Sequence, residues 1–268
     1  MHLMILKKFT ILAAAGFALS AINAQANGVL LTYAEDPGAQ NSTVANTSFI
    51  SFDNLSAGKN SNVDWAGVGT YDNAYILDAN KYGGAGGTGT YIVQSTSLGG
   101  ANAVATTTLT LSTPSSYFGL WWSAGDATNR LAFYNGTDLV ADFTTATLLS
   151  MLPDSYKGNP TTPFLGQDSS EKFAFFNVYG DIGTTWDSIV FTNNGSSGFE
   201  SDNHTTRVEA WGTGPGEDGP APGVPVMRVD GTTVTPGVAA VPETSTWVMG
   251  FLALGTVVFL ARRKAVAL

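Results

Sequence analysis

Between Phe199 and His204 the chain reads Phe-Glu-Ser-Asp-Asn-His. In an extended segment alternate side chains share a face, so Glu200 and Asp202 would point the same way. Two carboxylates on one side with the Asn203 amide beside them are hard oxygen donors, and calcium is the cofactor such a set would hold in a secreted β-domain. The competing arrangement is a turn in which the same Asp and Asn side chains bond their own backbone. His204 is one of two histidines, the other being His2. A serine nucleophile relay would have to rest on it, and the Gly-x-Ser-x-Gly elbow that presents such a serine is absent from the chain.

Aromatic residues offer a second chemistry. Sugar rings stack on exposed indoles while carboxylates and amides bond their hydroxyls. Trp121, Trp122 and Trp211, with Asp126, are the candidate glycan contacts. Neighbours in a strand face opposite ways, so one of Trp121 and Trp122 is expected in the core, and the other, where exposed, is the one that can stack on a sugar.

Other matches lack the surroundings their chemistry needs. Gly84-Ala85-Gly86-Gly87-Thr88-Gly89 fits the dinucleotide fingerprint, but it joins two predicted strands and no helix follows to face a pyrophosphate. Ser169-Ser170-Glu171-Lys172 contains Ser-x-x-Lys, yet Lys172 opens a predicted strand instead of sitting one helical turn from the serine. Asp78-Ala79-Asn80 begins like an EF-hand loop, then has Tyr82 at the fifth position and Gly89 where the bidentate Glu belongs. Glycoside hydrolysis needs two carboxylates across a cleft. The 21 Asp and Glu residues supply chance pairs in any fold, which leaves a secreted hydrolase as a remote alternative.

The elements that must position these residues are short, β-branched and aromatic, with turn residues between them. Strands are expected at 48–52, 74–77, 90–94, 103–111, 117–122, 130–134, 139–143, 172–178, 188–192 and 206–211, and only 146–152 looks helical. Asn135-Gly136 marks the clearest hairpin. With no alternation of strands and helices, the expected class is all-β, an antiparallel β-sandwich of jelly-roll type spanning residues 27–211. A Gly/Pro-rich stretch at 212–240 reads as a flexible linker, with Val226-Met227-Arg228-Val229 as one short extended piece that interrupts it.

Charge supports an exported body. The 268 residues carry no cysteine, 12% charged residues and a net charge of −9. Between Asn27 and Ala240, seven basic residues face 20 acids, a net of −13. Seven scattered bases cannot neutralise a phosphate backbone, so nucleic acid is excluded as a partner. The remaining bases cluster near the ends. Lys7-Lys8, the apolar run to Leu19 and Ala24-Gln25-Ala26 form a signal peptide over 1–26, which implies the Sec translocon and signal peptidase as partners. Residues 244–261 form an uncharged 18-residue segment, about long enough for a transmembrane helix, and Arg262, Arg263 and Lys264 after it are a stop-transfer cluster.

Val241-Pro242-Glu243-Thr244-Ser245-Thr246-Trp247, the apolar helix and the basic cluster resemble the tripartite PEP-CTERM sorting signal of bacterial exosortase substrates, with Thr244 in place of the usual second proline. The resemblance implies transient anchoring in the inner membrane, processing by an exosortase near Val241, Pro242, Glu243 and Thr244, and delivery to the cell surface or an exopolysaccharide matrix. Ser116–Asp126 and Ser196–His204 resemble the ectodomain of a family of exosortase-dependent surface proteins, which implies a lectin-like β-sandwich and names no activity. Two function classes follow. One is a non-catalytic surface or matrix protein associated with exopolysaccharide in a biofilm; the alternative is a lectin-like, calcium-dependent carbohydrate-binding module.

Overall fold

Strands form where the β-branched and aromatic runs lie. A computed structural model of the chain describes residues 28–181, 183–195, 197–207 and 224–236. The predicted signal peptide, Trp211, the processing residues Val241, Pro242, Glu243 and Thr244, helix 244–261, and Arg262, Arg263 and Lys264 lie outside the described residues. Within them the strands are β1 (Val29–Tyr33), β2 (Ser48–Ile50), β3 (Gly58–Trp65), β4 (Gly69–Asp78), β5 (Thr90–Gln94), β6 (Thr106–Ser115) and β7 (Tyr117–Gly125). There follow β8 (Asn129–Asn135), β9 (Asp138–Thr144), β10 (Lys172–Gly180), β11 (Trp186–Asn193), β12 (Phe199–Arg207), β13 (Val224–Asp230) and β14 (Thr233–Pro236), with one short helix, α1 (Thr145–Leu149), after β9.

The expected all-β class is what the chain adopts, but the strands do not separate into two sheets. They form one antiparallel sheet in the order β14-β13-β1-β10-β7-β12-β5-β4-β6-β11-β8-β9, with β2 added to β12 and β3 to β4. Twisted open sheets rarely grow past about ten strands without curling. This one curls until its ends meet. Asp142 N donates to Gly231 O at 2.8 Å and Gly231 N donates to Val140 O at 2.9 Å, so the turn between β13 and β14 rests on β9 and the sheet becomes a nearly closed barrel. Register shifts within the β1–β13, β10–β7, β11–β6, β12–β7 and β8–β9 pairs supply the bends that a curved wall needs.

A single core fills the barrel, built on Phe118, Trp122, Phe133, Phe176, Ile189 and Phe191 among others. The outer wall at β7 and β10 is buried as well. Trp121, Ala124, Phe173 and Phe175 form a separate cluster there, covered by Ala34 and Ala85 from loops that cross the wall. All nine residues of β7 are therefore buried, the pattern of a strand covered on both faces.

This corrects one expectation. Trp121 and Trp122 do face opposite ways, but with relative exposures of 0% and 1% neither reaches the surface as a glycan platform. A second correction concerns residues 212–240. Val224–Pro236 is not linker: β13 pairs with β1, and its Val226, Met227 and Val229 are buried in the barrel core. The short apolar run outweighs the surrounding Gly and Pro because a sheet edge was there to receive it.

Close backbone approaches make a testable contrast. A Cβ added to Gly69 would lie 2.2 Å from Thr110 O on the neighbouring strand, whereas one on Gly136 (φ 59°) would meet open space. Gly69→Ala should therefore destabilise the fold by about 3 kcal/mol, and Gly136→Ala by about 1 kcal/mol through its left-handed backbone alone. Urea unfolding of both variants checks the order, and equal losses would contradict the packing described.

Candidate functional site

The residues singled out from sequence converge on β12 and its surroundings. Every residue of β12 is buried although its sequence, Phe-Glu-Ser-Asp-Asn-His-Thr-Thr-Arg, is mostly polar. Glu200 pairs with Ser123, Ser201 with Trp122 and Asp202 with Trp121; the register then shifts before Thr205, and Asn203 takes a φ of 51° at the break. Directly opposed residues share a face, so Ser201 and Trp122 look into the barrel while Glu200 and Asp202 look outward with Trp121.

On the inner side, His204 Nε2 lies 2.9 Å from Ser201 Oγ and His204 Nδ1 lies 2.9 Å from Tyr71 OH. These distances match a nucleophile, base and orienting group. The chain of three is nonetheless sealed. Ser201, His204 and Tyr71 each have 0% exposure, and the imidazole is surrounded by Phe52, Phe118 and Phe191 at ring-centroid distances of 5.0, 5.3 and 5.1 Å. Burial pushes the imidazole down to a pKa of about 3 and holds it neutral. The trio satisfies its own polar atoms inside an aromatic core.

On the outer side, Glu200 and Asp202 share a face as the alternation predicts. Asp202 Oδ2 accepts from Ala85 N at 2.8 Å and its Oδ1 accepts from Asn203 N at 2.7 Å. Burial raises this carboxyl to about 7, and the two N–H donors pull the other way. Asn203 Nδ2 donates to Gln40 O at 2.8 Å and to Asn41 Oδ1 at 3.0 Å. Gln40 in turn accepts from Gly86 N and donates to Thr161 Oγ1, both at 2.8 Å. Asp202 and Asn203 thus clamp two loops onto the wall, and Gln40 ties the Thr161 loop to them. With both Asp202 oxygens bonded to amides, the Glu200, Asp202, Asn203 set departs from the expected calcium cage, and among the described residues no three His, Asp or Glu side chains stand close enough to hold a metal ion.

Glu200 is also buried, which raises its carboxyl well above the usual range, and the charges of Glu171, Asp126 and Asp168 add to that effect. A Cβ on Gly198 would lie 1.8 Å from Glu200 Oε1, so any larger residue there would force the Glu200 side chain to move. Glu171 rises to about 8, first through burial and then through its hydrogen bond to Asp168, while Lys81 opposes the shift. Asp126 closes an Asx turn, accepting from Thr128 N at 2.9 Å. Trp121 Nε1 and Ser123 Oγ are buried on this same face with no hydrogen-bond partner.

The remaining sequence matches have structural roles. Lys172 Nζ donates to Leu149 O and Leu152 O at 2.8 and 2.5 Å, tying down carbonyls at and just past the C-terminal end of α1. Residues 84–89 form a loop between β4 and β5, where Gly87 lies so close to Thr162 that a Cβ would meet its carbonyl oxygen at 2.3 Å. One open cleft of about 270 Å³ is lined by Glu35, Asp36, Asn41, Thr43 and Asn177 over Phe175. Sequence reasoning passes over it because its rim comes from the loop after β1 and its floor from β10. No family model matches the chain, and no curated protein or solved structure matches it either.

The buried groups predict how stability depends on pH. Glu200, Asp202 and Glu171 hold protons more tightly folded than unfolded, so their contribution is complete at acid pH and is lost as pH rises above the ordinary carboxylate range, through about 7 for Asp202 and about 8 for Glu171. His204 acts oppositely, losing its contribution as pH falls from its ordinary range through about 3. The melting temperature should therefore peak near about pH 5 and fall toward pH 9, and Glu200→Gln should flatten that fall. A melting temperature that rises between pH 5 and 9 would contradict these environments. Replacing His204 with Ala, which empties the aromatic cage and strands Ser201 and Tyr71, should cost about 3 kcal/mol in chemical denaturation.

Proposed function

We propose that this is an exported, non-catalytic surface or matrix protein of a Gram-negative-type bacterium. The Sec translocon and signal peptidase deliver it, an exosortase processes it near Pro242-Glu243, and it is retained with exopolysaccharide in a biofilm. The observation that carries this reading is how the folded body fills the interval between the two terminal segments. β1 begins at Val29, three residues past Ala26 at the end of the signal peptide, and β14 ends at Pro236, five residues before Val241. Removal of either segment would leave the barrel whole. The acid excess and the Thr, Ser, Asn and Gly content of the body suit a hydrated, hydroxyl-rich matrix.

A lectin-like reading has one observation in its favour, the cleft over Phe175 with Glu35, Asp36 and Asn41 at its edge. Carboxylates and amides of this kind bond sugar hydroxyls, and the space suits a single sugar ring better than an oligosaccharide.

Mass spectrometry of the protein recovered from the surface fraction tests the sorting reading. It should find a C-terminus at or near Pro242-Glu243; an intact Arg262-Arg263-Lys264 tail in that fraction would refute processing. A glycan array probed with and without calcium separates the lectin reading. Binding that survives calcium removal and is lost in Asp36→Ala would place a ligand in the cleft.

A further inference from the structure

The hairpin of β13 and β14 fills a gap between two sheet edges. Along one side β13 pairs with β1 from Val29–Val229 to Tyr33–Val224, and at its turn Gly231 bonds Val140 and Asp142 of β9. Its buried Val226, Met227 and Val229 complete the barrel core, and Arg228 pairs with Asp181 outside it. The barrel is thus closed by its C-terminal stave.

That stave is connected differently from the strands beside it. β12 ends at Arg207 and β13 begins at Val224, leaving residues 208–223, sixteen in all, between them. In the sheet β12 and β13 are separated by β7, β10 and β1. Four strand spacings amount to about 19 Å across the wall, and the register sets Arg207 level with Arg228, four residues or about 13 Å along β13 from Val224, a gap of about 23 Å in all, whereas sixteen residues reach about 55 Å when extended. The connection is therefore long enough to seat the hairpin in its own barrel or in that of a neighbour.

We propose that the hairpin Val224–Pro236 exchanges between copies, the stave of one chain closing the β1–β9 gap of a second copy. The exchanged form keeps every native hydrogen bond and core contact, so the balance between the two forms depends on concentration and not on new interactions. A connection of sixteen residues holds the hairpin at an effective concentration of about millimolar. Closure within one chain prevails in dilute solution, and exchange between chains becomes competitive where copies are crowded. This inference rests on the sheet topology and stands whether or not the chain is sorted as proposed above.

The chain has no cysteine, which makes a clean test possible. Val29 and Val229 are register partners and both are fully buried. Full-length chains carrying Val29→Cys with one tag and Val229→Cys with another are mixed in detergent, opened with denaturant, refolded together and oxidised. Exchange predicts a disulfide-linked heterodimer of the two tags, rare at micromolar chain concentration and rising toward a major species near about 1 mM. Its absence at every concentration, while the double variant crosslinks within one chain, would overturn the proposal. Should the double variant fail to crosslink, light scattering of the unmodified chain refolded at both concentrations decides: a dimer appearing only at the higher one supports exchange, and monomer at both overturns it.

Discussion

Two main-chain hydrogen bonds, from Asp142 N to Gly231 O and from Gly231 N to Val140 O, join the ends of a twelve-strand path. Without them the sheet would have two free edges, β9 and the outer side of the hairpin, and a twisted wall open to solvent along its seam. Free edges invite pairing with other chains. Closure also fixes the order in which the fold can be completed, because β1 needs β10 on one side and β13 on the other. The first strand of the body is seated between one from its middle and one from its end. Such long-range pairing costs loop entropy before it returns contact energy.

β12 ties the closed barrel to the layer of loops outside it. Its inward side presents Ser201 and His204 to an aromatic cage, and its outward side presents Asp202 to the amide of Ala85. A polar strand buried on both faces is tolerated because these atoms find partners, and the register shift at Asn203 lets the backbone turn each side chain to its own. The cost appears in the carboxyls. Burial raises the Glu200 carboxyl well above the usual carboxylate range and the Asp202 carboxyl to about 7. The same burial that raises the carboxyls lowers His204, and both effects come from one strand with little access to water.

Much of this was legible in the sequence, and the limits have physical causes. Thr90–Gln94 is predicted to the residue, and the Asn135-Gly136 hairpin stands as expected, since both signals are local. The alternation that sends Trp121 and Trp122 to opposite faces also holds. Their exposure does not follow from alternation, because the outer wall is covered by loops distant in the chain, with Ala34 and Ala85 resting on the Trp121 cluster. β12 starts at Phe199, seven residues before the predicted strand, since Glu-Ser-Asp-Asn-His carries no apolar period and its strand state is imposed by β7 and β5 on either side. β13 hides among Gly and Pro, with Val226-Met227-Arg228-Val229 as its one signal. The pairing of Glu200 and Asp202 on one face is readable from spacing, whereas the Ala85, Gln40 and Asn41 contacts that give Asp202 and Asn203 their clamping role are tertiary.

The central claim is that Val224–Pro236 belongs to the folded body and closes it. Amide hydrogen exchange on the intact chain tests this most directly, through the amides of Gly231 and Asp142 and those of β13 that face β1. The barrel described here predicts protection approaching that of the central strand β7. Exchange of those amides at the rate of an unstructured peptide, with β7 still protected, would contradict it.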